Sequence, residues 1–400
     1  MKTQEEIRDD FPILKNITYL DSASTSITPK PVIDAIDDYY YNYNANSGRG
    51  AYRIAIKASN KLEDTRSKIA NLINADKNEI IFTKNTTEAI NMIANGFKFE
   101  KNDNIIISNV EHHSNFVPWL NLEKNSPKNI KIKIANANSE GIVENSTIEE
   151  LLDENTKLVA ISHVTNSIGA CQDIKRISKT AHRNNSYFLL DCAQSIGHVK
   201  IDNKKINADF IASPGHKGLL GPMGTGFLYG KKEILEHVEP TNLGGGTITN
   251  LVNKEFTLEE VPYRFEGGTQ NIDGIIGLGA GIDYINQIGL SNIYTHSKYL
   301  TQELYKGLSE IKNVILYGNP KNIFSIISFN IKGANPYDVA KILDETANIC
   351  VRSGFHCAIP SLKHMKAKEG TIRVSFHYYN NLEDIIGLLK SVEEIANFYK

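Results

Sequence analysis

The sequence predicts an α/β protein in which a large domain, built on a mainly parallel sheet, is followed by a smaller C-terminal α+β domain. Three observations predict it. Short strand-like runs at 79–83, 104–108, 130–134, 158–162 and 187–190 alternate with helical stretches near 148–152 and 174–184. This βα alternation requires parallel strands with helices on both faces of the sheet. The run YFLL at 187–190 is apolar throughout and ends on Asp191, as a doubly buried strand does where it opens into a ligand crevice. Past two long helices, 273–288 and 292–311, the order changes to strands at 315–317, 325–330, 349–352 and 371–376 around helices at 337–346 and 383–399. We therefore divide the chain into an N-terminal segment packing on the small domain (1–16), a large domain (17–280) and a small domain (281–400) carrying the loop of Cys357.

The totals bound the function. Four hundred residues, 41% hydrophobic and 22% charged, are enough for a sizeable core. A formal charge of −2 with no basic stripe argues against nucleic acid or an anionic membrane as partner. No apolar run approaches a membrane span, and the opening MKTQEEIRDD lacks a signal-peptide core, so the expected location is cytoplasmic. Cys171, Cys192, Cys350 and Cys357 show no CxxC spacing, which fits a reducing compartment and no zinc.

In chain order, 5–15 reads as a short helix and a loop, and 17–20 as an extended piece ending at Asp21. The Ser-rich SASTSITPKP that follows is turn chemistry, either a plain loop or one lying against a ligand, and Pro31 starts a helix to Tyr43. The glycine loop 44–52 carries Arg49, an exposed arginine or a substrate contact, and precedes an amphipathic helix at 54–73. The strand at 79–83 runs into Asn85-Thr86-Thr87-Glu88, an Asn N-cap with an acidic third position. Free N–H groups and the helix dipole make such a start a natural phosphate seat, although a simple cap reads the same way.

After the strand 104–108, Glu111-His112-His113 has the wrong spacing for a zinc helix and no third ligand nearby, so no metal is expected. An imidazole stacked on an aromatic ligand fits better. Asn166 follows the strand 158–162. A further apolar strand breaks at Pro214-Gly215 and delivers His216 and Lys217. A lysine able to form a Schiff base and an Asp able to pair with a pyridinium nitrogen, both at strand ends, are what pyridoxal 5'-phosphate requires of a protein. The glycine-rich 244–250 reads as a loop, and Thr269 in RFEGGTQN stands just before a helix, offering another hydroxyl to a phosphate. In VRSGFHCAIP, Cys357 lies in a loop near Arg352, His356 and a helix expected after Pro360. Such surroundings favour the thiolate, which is the nucleophile. The other three cysteines read as packing.

The ordered series YLDSAST, NTTEAIN, EHHSN, SHVTNSIG, DCAQ, SPGHK, RFEGGTQN, VRSGFHCAIP and IRVSFHYYN resembles the class V aminotransferase family, and within it the cysteine desulfurases and selenocysteine lyases. The resemblance implies a pyridoxal-phosphate fold of type I, like that of aspartate aminotransferase, in a homodimer. It implies Lys217 as Schiff-base lysine and proton carrier, Asp191 at the ring nitrogen, Gln194 at the ring oxygen and His112 stacked on the ring. Thr86, Thr87, Ser213 and His216 would hold the phosphate, with Thr269 reaching it from the partner subunit. Asn166, Arg352 and Arg373 would hold the substrate, L-cysteine or L-selenocysteine. Cys357 would take the sulfur as a persulfide, releasing alanine, and pass it to a sulfur-acceptor protein for iron–sulfur cluster or other sulfur assembly.

Three positions depart from the family pattern. Pro214 replaces a serine, the glycine loop Gly48-Arg49-Gly50-Ala51-Tyr52 lacks two histidines, and Phe355 precedes His356 where a second histidine is usual. Competing readings are a selenocysteine lyase, a lyase, epimerase or aminotransferase that does not use Cys357, and a non-catalytic pyridoxal-binding scaffold. A metal hydrolase built on Glu111, His112 and His113 is the weakest of them.

Overall fold

The computed structural model describes residues 3–48 and 50–399, so Arg49 lies outside the described residues. After β1 (Thr18–Tyr19), seven strands form the main sheet: β2 (Ile80–Thr83), β3 (Asn104–Ser108), β4 (Lys131–Ala135), β5 (Thr156–Ser162), β6 (Tyr187–Asp191), β7 (Phe210–Pro214) and β8 (Gly226–Gly230). Their order is β2-β8-β7-β6-β5-β3-β4. Pairing is parallel from β7 to β4, while β8 runs antiparallel to both β7 and β2. The chain steps outward from β3 to β4 and then returns to lay β5 on the other side of β3. Open α/β sheets bind ligands in the crevice at such a reversal, beyond the carboxyl ends of the strands.

The strand residues divide between two cores by their period of two. Ile106, Val159, Ile161, Phe188, Leu190 and Ile211 face one side, under the helices Arg53–Ile73, Ile174–Arg183 and Ile272–Ile288. Ile105, Ile107, Leu158, Ala160, Leu189 and Phe210 face the other, under Thr86–Gly96 and Val117–Asn125. The helix Ile272–Ile288 lies close behind the turn that follows Lys217. A Cβ on Gly281 would stand 2.4 Å from the Leu219 carbonyl oxygen, so this contact admits only glycine.

Next comes an antiparallel hairpin, β9 (Ile248–Val252) with β10 (Glu255–Leu258), in a stretch whose start the sequence reads as a loop. Asn253 and Lys254 both take positive φ, 50° and 72°, the two-residue turn that matches strand twist. Leu251, Val252 and Phe256 on this hairpin are exposed.

The C-terminal unit is the four-stranded antiparallel sheet β11-β12-β15-β14, with β11 at Val314–Tyr317, β12 at Ile326–Ile331, β14 at Arg352–Gly354 and β15 at Thr371–Ser375. The remaining strand, β13 (Ile349–Cys350), pairs in parallel with β1 instead. The single strand expected at 349–352 is thus two strands with different partners. The core of this unit joins Leu300, Leu304 and Leu308 of the helix Leu290–Glu310 to Ile385, Leu388 and Val392 of the last helix, Leu382–Phe398.

The N-terminal segment lies across both bodies. Ile7, Phe11 and Leu14 enter the large-sheet core, as do Ile282, Ile285 and Ile288 beyond position 280. Arg8 forms a bidentate pair with Asp384 at 2.8 and 3.0 Å, and Gln4 donates to the Asn380 carbonyl. No helix among the described residues is long and apolar enough to cross a membrane.

A buried ion pair fastens the segment before Thr269 to the sheet. Arg66, 1% exposed, donates to both Glu266 oxygens at 2.7 and 2.9 Å and to the Ile80 carbonyl, while the Phe82 N–H donates to Glu266. Removing one partner of such a pair strands the other charge, so Arg66→Ala is expected to cost about 3–5 kcal/mol of unfolding free energy, read by chemical denaturation. Arg66→Met combined with Glu266→Gln, which removes both charges, is expected to be less destabilised than the single alanine variant.

Candidate active site

Five strand ends of the main sheet, those of β2, β3, β5, β6 and β7, converge on one cavity of about 270 Å³. Thr86, Thr87, His112, Asn166, Asp191, Gln194, His216, Lys217, Arg352 and Arg373, ten of the residues singled out in the sequence, all line it. Asp191, the last residue of β6, is buried, and its Oδ1 accepts the Ala193 N–H at 2.8 Å. Burial raises its pKa, opposed by that N–H and by the charge of Lys217. Burial likewise lowers Lys217 to about 8, with Asp191 favouring the charged form and Arg373 and Arg352 opposing it. A lysine so placed holds a substantial neutral fraction near pH 8, as a carbonyl-trapping amine must.

His112 follows β3, and its Nδ1 accepts the Ser114 N–H at 3.0 Å. The proton of the neutral ring therefore sits on Nε2. Burial, then the Lys217 charge, lowers its pKa to about 3, so the ring is neutral and suited to stacking on an aromatic group. The neighbouring residues of this motif do other work. Glu111 is buried and receives hydrogen bonds from Ser108, Ser162 and Asn115, and burial raises its pKa to about 7. His113 donates its N–H to the Cys357 carbonyl at 2.7 Å and accepts the Ile359 N–H on Nε2 at 3.2 Å. Among the described residues no group of three or more His, Cys, Asp or Glu side chains is placed to hold a metal ion.

The phosphate seat expected at the start of the helix Thr86–Gly96 opens on the cavity. Asn85 caps it through the Glu88 N–H, and the Glu88 carboxylate reaches the Lys84 N–H rather than that of Asn85, a capping box displaced by one residue. The Thr86 hydroxyl is buried without a partner, and Thr87 meets Ser114 at 2.6 Å. His216, lowered to about 4 by burial and Lys217, lies 3.1 Å from the Thr25 hydroxyl through Nδ1. A helix N-terminus, an unpartnered hydroxyl, a buried carboxylate and a half-buried lysine fit pyridoxal phosphate, the anion seat at one end and Asp191 and Lys217 at the other.

The C-terminal unit supplies the opposite wall. Arg352 and Arg373 stand directly across β14 and β15, so both side chains point to one face. Arg373 is wholly buried, donating to the Asn166 carbonyl at 3.0 Å and to Asp21 at 2.9 Å. Asn166 donates to the His356 carbonyl at 2.6 Å, and its Oδ1 is buried without a partner. Arg352 reaches Cys357 Sγ at 3.7 Å. Cys357 is the exposed one of four free cysteines, whereas burial pushes Cys171 up to about 12. His356 and Cys357 both take left-handed φ, 53° and 57°, a sparsely populated conformation for such residues.

Two sequence expectations, those for Ser213 and His356, meet a different geometry. Ser213 is fully buried in β7 with its hydroxyl on the Pro214 carbonyl, and Pro214, not Ser213, lines the cavity. Alternation along the strand turns neighbouring side chains to opposite faces. Thr269, expected at the phosphate of a partner subunit, lies away from its own chain's cavity, with Glu266, Gly224 and Asn271 on a separate hollow. His356 does not attend the thiol: its Nε2 is 2.8 Å from the Thr371 hydroxyl, and burial, then Arg373, lowers its pKa to about 2. The cation beside Cys357 is Arg352. Asp21 and Ser24, which contact Arg373, were visible in the sequence only as an extended piece ending in a carboxylate and a Ser-rich turn.

Comparison with known proteins agrees with this geometry. A probable cysteine desulfurase of Methanothermobacter thermautotrophicus is 49% identical over 394 residues, covering 98% of each chain. Another from Pyrococcus abyssi is 42% identical over 99% of this chain and 98% of its own. Among solved structures, the apo cysteine desulfurase of Thermococcus onnurineus superposes with a TM-score of 0.96 at 41% identity, over 100% of this chain and 99% of the other. The cysteine desulfurase CsdA of Escherichia coli gives 0.92 at 30% identity, over 100% of both chains. The model of the aminotransferase class-V family matches residues 18–388, and with these relatives it shows that the chain belongs to that family.

Proposed function

We propose that this chain is a pyridoxal phosphate-dependent cysteine desulfurase, converting L-cysteine to L-alanine and taking the sulfur on Cys357 as a persulfide. The observation that carries this reading is an exposed thiol 3.7 Å from Arg352, which itself lines the cavity that holds Lys217, Asp191 and Arg373. The high identity to relatives named probable cysteine desulfurases supports it.

Bound in the cavity, the cofactor supplies an electron sink for the bond broken at the substrate Cα. The chain's own residues do the rest. Asp191, buried and acceptor-only when ionised, favours a proton on the pyridine nitrogen. Thr86, Thr87, His216 and the helix N-terminus would hold the phosphate, while Gln194 and the neutral imidazole of His112 would hold the ring. Arg373, with the free Oδ1 of Asn166 beside it, orients the substrate carboxylate and amine. Lys217 Nζ, neutral in an appreciable fraction near pH 8, carries a proton from the substrate Cα. The Cys357 thiolate then attacks the substrate sulfur. An S–S bond forms, the Cβ–S bond breaks, and the electron pair left at Cβ takes a proton to give the methyl group of alanine.

The persulfide, standing on an exposed residue, is open to a sulfur-acceptor protein for iron–sulfur cluster or other sulfur assembly. We read the protein as a homodimer in which Thr269 completes the partner's phosphate seat. Its place outside its own cavity and the exposed apolar residues of the β9–β10 hairpin support this reading. Four free cysteines suit a reducing compartment such as the cytoplasm.

In an assay of alanine and sulfide release from L-cysteine with a reductant present, Cys357→Ala is expected to lose alanine formation while keeping the yellow colour of the bound cofactor. Unchanged alanine formation would overturn the persulfide reading. Lys217→Ala is expected to lose the covalent visible band. Protein stripped of cofactor is expected to recover its colour with pyridoxal phosphate at a rate that rises with pH and levels off above about 8, where Nζ is neutral. A rate still climbing through about pH 10, as for a solvated lysine, contradicts the burial effect.

A further inference from the structure

Ser24 stands at a junction that the reaction scheme leaves unexplained. It lies in the turn after β1, its N–H bonded to the Asp21 carbonyl at 3.0 Å. A hydroxyl has one proton to donate and two lone pairs, and all three are used here. Ser24 Oγ donates to Asp21 Oδ1 at 2.9 Å. It accepts from Arg373 Nη2 at 2.8 Å and from Arg352 Nη1 at 2.9 Å. Asp21, by taking the hydroxyl proton, turns both lone pairs toward the two guanidinium groups. The hydrogen bonds of Arg352 run to this oxygen and, through Nη2, to Cys357 Sγ at 3.7 Å.

We propose that Ser24 is a positioning residue whose hydroxyl holds Arg352 against the thiol of Cys357 and ties it to Arg373, the arginine assigned to the substrate carboxylate. An arginine side chain has many rotamers, and one hydrogen bond at Nη1 is what keeps Nη2 facing the sulfur. A guanidinium held 3.7 Å from the sulfur stabilises the negative charge that develops there as the thiol reacts, so the anchor sets how reactive the thiol is. Substrate recognition and thiol presentation thereby share a single oxygen atom contributed by the turn after β1. This inference rests on the reading of Cys357 as the nucleophile.

The test is the rate at which iodoacetamide alkylates Cys357 in the holoenzyme at neutral pH, followed by the mass of the peptide that contains it. Ser24→Ala is expected to slow alkylation about fivefold, the factor for one hydrogen bond, while Ser24→Thr, which keeps the hydroxyl, stays within about twofold of the parent. Arg352→Ala is expected to slow it at least as much, and Ser24→Ala added to Arg352→Ala to slow it no further, because both changes break the same contact. A Ser24→Ala protein alkylated at the parental rate overturns the proposal, and so does full additivity with Arg352→Ala. If Ser24→Ala loses the cofactor, Asp21→Ala tests the same oxygen by releasing its proton; slower alkylation supports the proposal and the parental rate overturns it. Alkylation needs no turnover, so alanine formation that survives Cys357→Ala would defeat the nucleophile reading while leaving the role of Ser24 to be judged on alkylation alone.

Discussion

The burial of one amine organises the rest of the site. Lys217 sits in a cavity it shares with Arg352 and Arg373, and desolvation with those two cations pulls its proton off near pH 8. The surroundings keep the positive charge from growing further. His112, His216 and His356 are all held neutral by burial, so three imidazoles add shape and hydrogen bonds without adding charge. Two carboxylates, Asp191 at the floor and Asp21 at the wall, offset part of what remains. The balance left over is cationic, which suits a phosphate and an amino-acid carboxylate.

That balance needs both parts of the molecule. The parallel sheet brings Asp191, His112, Asn166 and Lys217 to one edge, because parallel strands end together. The arginines come from an antiparallel sheet whose register sets Arg352 opposite Arg373. Two like charges so placed repel unless a counter-charge or hydrogen-bond acceptor meets them. The turn after β1 provides it, with Asp21 and Ser24 bonded to Arg373 and Ser24 also to Arg352. His113 adds a second link from the large body to the cysteine loop.

Much of this was legible in the sequence, for reasons tied to particular residues. Apolar runs ending on Asp191 and breaking at Pro214-Gly215 mark strand ends, and strand ends are where an open sheet binds ligands. The roles of Asp21, Ser24 and Arg352 depend on pairing between residues more than 300 positions apart, which no local pattern reveals. Ser213 was misplaced by a single step of strand phase. His356 was misplaced because a left-handed φ turns its ring away from the neighbour that the sequence sets beside it. The β9–β10 hairpin escaped notice because its turn is Asn253-Lys254 rather than the Asn-Gly or Asp-Gly that signals such turns.

The pairing of β1 with β13, and the bridge from Asp21 to Ser375, join the beginning of the chain to its end. Contacts of such wide sequence separation close late, since the loop entropy must be met before they form. During synthesis Asp191 and Lys217 are made well before β14, the Cys357 loop and β15. A chain at that stage has a place for the cofactor but neither arginine nor thiol. On the function proposed above, an unfinished chain would therefore have no thiol to take the sulfur, and the arginine pair would be complete only once β14 and β15 stand beside the turn after β1.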